Sequence, residues 1–143
     1  MNEADVNEKK KITMLKRIES ALKDSGITDT ESNFDSWIGE DEIDYYIVND
    51  NEKHPVRGFV LEAAAISDSF IHTFSVIAGN RTYGTIMLKS IRSLTASFSK
   101  DGSVALSVVT DSGLAFQMQT SKEKWDEIIE FKRKLDKLME NIG

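Results

Sequence analysis

The chain has 143 residues, a formal net charge of −6, no cysteine and a single proline. That length suits one domain able to bury roughly 70% of its unfolded surface without a disulfide or metal staple. The missing thiols exclude a disulfide framework, a cysteine nucleophile and a thiolate-bound zinc. An acidic chain is also a poor partner for nucleic-acid backbones, and no nucleic-acid ligand is expected.

The opening MNEADVNEKKK has no apolar core of a secretory signal, and no run of 18 apolar residues would span a bilayer. With the absence of cysteine, these features point to a cytoplasmic protein. From about residue 5 to 24, Met14, Leu15, Ile18, Ala21 and Leu22 form one stripe at helical spacing, with Lys9, Lys10, Lys16, Arg17 and Lys23 around it. Gly26 follows where a helix C′ residue is wanted.

Residues 28–52 hold nine carboxylates and no Lys or Arg. Residues 27–42 read as an acidic connector in which Phe34, Trp37 and Ile38 plug the edge of a core. Asp29, Glu31, Asn33, Asp35 and Glu40 stand at calcium-loop spacing, but Phe34 occupies the position where the sharp turn needs glycine. No second helix follows, so the match is accidental and no metal is expected.

Strand patterning then runs from Glu42 to Thr120, and predicts about seven antiparallel strands. These cover 42–49, 58–66, 69–78, 85–89, 91–98, 103–110 and 113–120, with 78–84 as a turn. Lys100-Asp101-Gly102 and Asp111-Ser112-Gly113 supply hairpin turns. Leu114, Phe116 and Met118 are expected on one face of the last strand. Thr120 and Glu123 form a capping box, and an amphipathic helix follows over about 121–141 carrying Trp125, Ile128, Ile129, Leu135, Leu138 and Met139. The expected organisation is an N-terminal helix and acidic connector (1–42) joined to a sheet plus C-terminal helix (43–143), as one compact α+β domain.

The order of elements over 43–141 resembles the pleckstrin-homology-like (PH-like) fold of small bacterial domains. The resemblance is carried by AISDSFIHTFSVIAGNRTYGTIMLKSIRSL, the hairpin pair after it and the helix beginning SKEKWDEIIEF. It implies a split barrel closed by the C-terminal helix, with the helix at 5–24 as an addition. A helix, a twisted sheet and a second helix also describe small secretion-chaperone-like dimers, although the strand count fits those less well.

No nucleophile elbow, His-Glu-x-x-His helix or phosphate-cradling glycine loop is present, so neither enzyme activity nor a cofactor is expected. His72 shares a strand face with Phe70, Phe74 and Val76, and reads as a hydrogen-bonded, partly buried histidine. Lys53, His54 and Arg57 between the first two strands make a sparse anion or lipid site among Asp50 and Glu52. Tyr46, Val48, Ile71 and Ile77 are apolar residues on the second faces of their strands, and suggest an interaction face covered by the first helix or by a partner subunit. The function these features suggest is a protein-binding or self-associating module. Weak binding to anionic lipid surfaces and small-molecule carriage are the alternatives.

Overall fold

The computed structural model describes residues 3–26, 37–54, 58–77 and 79–142, with the backbone alone at 3, 4, 50–54, 58, 59 and 142. In chain order these form α1 (Glu3–Asp24), β1 (Tyr45–His54), β2 (Gly58–Ile66), β3 (Phe70–Ile77), β4 (Asn80–Met87), β5 (Ile91–Phe98), β6 (Ser103–Thr110), β7 (Gly113–Ser121) and α2 (Trp125–Ile142). The fold is α+β. The seven described strands divide between two open antiparallel sheets, β1-β2-β3-β4 and β5-β6-β7. Two compact units result, residues 1–85 and 86–143. The division falls inside β4 and not at residue 42, because α1 lies on β1 and β2 and belongs with the first sheet.

In the first unit, α1 ends as its sequence predicts. Gly26 takes φ +89°, and Ser25 N–H and Gly26 N–H donate to the carbonyls of Ala21 and Lys23 at 3.2 and 3.0 Å. Met14, Ile18, Ala21 and Leu22 are buried against Val48, Leu61, Ala63, Ala65, Phe74 and Val76, with Trp37, Ile38 and Ile43 in the same cluster. Pairing sets Tyr46–Ala65–His72 and Val48–Ala63–Phe74 in rows on the α1 side. Rows Tyr45–Ile66–Ile71, Ile47–Ala64–Thr73 and Asn49–Glu62–Ser75 lie on the other. Both rows are largely buried, which is why β2 reads as a continuous apolar run without alternation. The buried Glu62 carboxylate accepts a hydrogen bond from Asn49 Nδ2 at 3.1 Å.

Three local expectations are corrected. Residues 78–84 are not a turn, because Gly79 (φ +81°) takes up the reversal and Asn80 already starts β4. The expected strand 85–89 ends early, at Met87, and Leu88–Ser90 form a 3-10 turn. β1 continues through the expected loop to His54, with a bulge between Asn49 and Glu52 that absorbs one extra residue. Gly84 has a packing reason to lack a side chain, since a Cβ there would come within 2.5 Å of Thr73 Oγ1.

In the second unit, Leu94–Val108–Phe116, Ala96–Leu106–Met118 and Phe98–Val104–Thr120 share one face. The opposite face is mostly polar, with Thr95–Ser107–Gln117 and Ser97–Ala105–Gln119. Such a division into one apolar and one solvated face is what alternating strands produce. α2 lies against β5 and β6, and its Ile128, Phe131 and Leu135 are fully buried. A bulge in β7 at Ala115, between Leu114 and Phe116, leaves Leu114 paired with Val109. Leu114 therefore leaves the row of Phe116 and Met118 and is exposed. The expected capping box does not form, because Thr120 is a buried residue of β7. The chain instead enters α2 through a 3-10 turn at Lys122–Lys124, with Ser121 Oγ donating to Glu123 Oε2 at 2.9 Å. In the β5–β6 turn, Asp101 accepts from Ser103 N–H at 2.9 Å and Ser103 Oγ at 2.7 Å, and these bonds hold its carboxyl below the usual range.

Two stability results follow from this packing. Ile18→Ala should cost about 2–5 kcal/mol in urea unfolding, whereas Ile12→Ala, at an exposed position of the same helix, should change stability by less than about 0.5 kcal/mol. Gly84→Ala should cost about 1–3 kcal/mol through overpacking. Adding Thr73→Ala should recover part of that loss, and the double-mutant cycle measures the recovery.

Candidate functional site

The residues singled out from the sequence do not converge on one place. Tyr46 and Val48 lie on the α1 side of the first sheet, where they pack into its core. Ile71 and Ile77 lie on the opposite side, and Ile71 is fully buried. The four therefore form no single patch, because pairing register puts their strands out of phase by one residue. The backbone of Lys53 and His54 is in β1, while their side chains and the whole of Arg57 lie outside the described residues. Asp29, Glu31, Asn33, Phe34 and Asp35 also lie outside them. Among the described residues no cluster of three or more His, Cys, Asp or Glu could hold a metal ion. No described helix is long and apolar enough to cross a membrane.

His72 is 4% exposed, and its Nε2 donates to Asp41 Oδ2 at 2.9 Å. Nδ1 is enclosed with no hydrogen-bond partner. Asp41 is nearly half exposed and precedes the buried Ile43. The contact is made by Nε2, and Asp41 holds the imidazole in place. The pair ties the acidic segment to β3. Lys10 and Lys11 reinforce that tie from α1, donating to the carbonyls of Asp44 and Gly39 at 2.9 and 2.6 Å. Arg17 donates to the carbonyl of Val48 at 3.3 Å. These α1 cations are thus engaged within their own unit.

A concavity of ligand size lies within the second unit. An open groove of about 570 Å³ runs between β5 and α2, lined by Ala96, Trp125, Ile129, Lys132, Arg133, Asp136, Lys137 and Glu140. Clefts that bind ligands typically enclose about 300–1,000 Å³. β5 is an edge strand, pairing only with β6 in its sheet. At one end Phe98 packs on Trp125, with ring centroids 4.2 Å apart, yet Phe98 remains 58% exposed. Toward the other end the lining is charged, with Lys132, Arg133 and Lys137 beside Asp136 and Glu140. There Lys132 pairs with Asp136 at 2.7 Å and Arg133 with Glu130 at 2.9 Å.

The groove was not foreseen from the sequence. Trp125 and Ile129 read there as part of the core stripe of α2, but that stripe is Ile128, Phe131 and Leu135. A second stripe at helical spacing, 125-129-132-136-140, was the available signal. No protein-family model, no curated protein and no solved structure matches the chain.

The His72–Asp41 contact predicts an asymmetry between its two partners. Asp41→Ala leaves a buried imidazole with neither nitrogen bonded, and should cost about 1–3 kcal/mol. His72→Leu returns a half-exposed carboxylate to water, and should cost less than about 1 kcal/mol. Urea unfolding of both variants at neutral pH gives the comparison.

Proposed function

We propose that this protein is a non-enzymatic, PH-like interaction module that binds a protein partner as an extended segment along β5, beneath α2. The observation carrying this reading is the groove itself. It combines the outer strand of its sheet, an apolar floor at Ala96, Trp125 and Ile129, and an exposed aromatic at Phe98. An added strand gains main-chain hydrogen bonds, while side-chain pockets beside it select among sequences. The succession of four strands, three strands and a closing amphipathic helix supports the PH-like assignment. A second copy of the chain, pairing its own β5, is the self-associating form of the same mode.

Selection from a library of random twelve-residue peptides displayed on phage tests the reading. Enriched peptides, added to the isotopically labelled protein, should shift amide resonances of β5 and α2 and leave those of β2 unmoved. Ala96→Arg fills the groove floor, and should weaken such a peptide by about tenfold or more in protein whose amide spectrum stays dispersed. Failure to enrich any peptide, with the protein monomeric by light scattering, would remove the proposal. So would shifts confined to the first sheet.

A further inference from the structure

Resting on that reading, we infer that the segment taken up by the groove is acidic, with an apolar anchor side chain and a carboxylate about four residues from it. The groove is polarised along its length. Phe98 against Trp125 places the C-terminal end of β5 beside the N-terminal end of α2. The apolar lining, Trp125 and Ile129, lies at that end, and Lys132, Arg133 and Lys137 follow along the helix.

Helical rise puts Lys132 about 10 Å and Lys137 about 18 Å along α2 from Trp125. In an extended chain, side chains on one face recur every second residue, so positions i and i+4 are about 13 Å apart. An anchor seated on Phe98 and Trp125 therefore sends the side chain four residues on to a point between Lys132 and Lys137. The intervening i+2 side chain falls near Ile129.

The charge at that end favours an anion, although Asp136 and Glu140 also line it. Lys137 is exposed and has no ion pair among the described residues. Lys132 and Arg133 are held by Asp136 and Glu130 in ion pairs on the helix surface. Pairs of this kind contribute only about 0–1 kcal/mol, so these cations can exchange partners for a ligand carboxylate at little cost. The unit itself is near neutral, with nine Lys and Arg against eight Asp and Glu over residues 86–143, and three of the nine cations line the groove against two of the eight carboxylates. A basic segment would meet this cluster with like charge.

The composition of the phage-selected peptides reads the inference directly. Enriched sequences should carry Asp or Glu about four positions from a Phe, Tyr, Trp or Leu. For the tightest such peptide, Lys137→Glu should raise Kd about tenfold and Lys137→Gln about threefold, and the difference between them should shrink in 0.5 M salt, where screening is over about 4 Å. Lys137 is exposed, so both variants should fold as the parent does.

Peptides that bind at β5 and α2 without acidic enrichment would overturn the inference and leave the binding mode standing. Acidic peptides indifferent to Lys137→Glu would do the same. A protein that enriches no peptide but sediments with phosphatidylglycerol vesicles would overturn both.

Discussion

The second unit depends on how a three-stranded sheet with one apolar face can be covered by one helix. Val104, Leu106 and Val108 of the middle strand are fully buried, as is Met118 of β7, while β5 on the edge is only partly covered. A helix about 10 Å across cannot shield three strands spaced nearly 5 Å apart to the same degree. Ile128, Phe131 and Leu135 are the buried line of α2, and the flank bearing Trp125 and Ile129 is left over β5. The groove is therefore a consequence of the packing that stabilises the unit. It needs no dedicated loop, and it rests on two regular elements that hold its lining residues in fixed register.

The first unit meets a different constraint. Its acidic segment from 28 to 52 contains no cation, so nothing within the segment can offset its charge. Over residues 37–48 the offset comes from α1. Lys10, Lys11 and Arg17 reach backbone carbonyls of residues 44, 39 and 48, bringing positive charge among Glu40, Asp41, Glu42 and Asp44. Trp37, Ile38 and Ile43 add apolar burial beside Met14 and Phe74, and the Trp37 ring lies 5.6 Å from that of Phe74. Helix and segment thus cover the same face of the sheet together. The composition shift near residue 42 consequently marks no structural boundary.

Legibility in the sequence followed physical locality. Both helices were readable because their stripes and the Gly26 terminus are local signals, and β2, β5 and β6 were readable because hydrophobic runs and turn residues bound them. Asn80-Arg81-Thr82-Tyr83 looked like a turn because its residues are polar. Pairing with β3 and the close approach of Gly84 to Thr73 make it a strand, and neither is a local property. The bulge at Ala115 breaks the alternation of Leu114 with Phe116 and Met118, since one extra residue inverts every side chain beyond it. Grouping Tyr46 and Val48 with Ile71 and Ile77 failed for the same reason. Faces can be assigned within a strand from sequence, but matching them between strands requires the register.

Charge and exposure differ between the two units. Residues 1–85 carry sixteen Asp and Glu against nine Lys and Arg, and three cations of α1 are committed to carbonyls of their own unit. Among its described aromatic residues, Trp37, Phe74 and the half-buried Tyr83 pack together in tilted and edge-on contacts. In residues 86–143 the arrangement is reversed. Cations of α2 stand beside the groove in pairs that water can exchange, and Phe98 and Leu114 stay exposed although nearby strands have apolar faces to bury. The exposed Phe98 ring, stacked on Trp125, thus stands beside a concave surface lined by both apolar and charged side chains. β5 at the same place is the outer strand of its sheet.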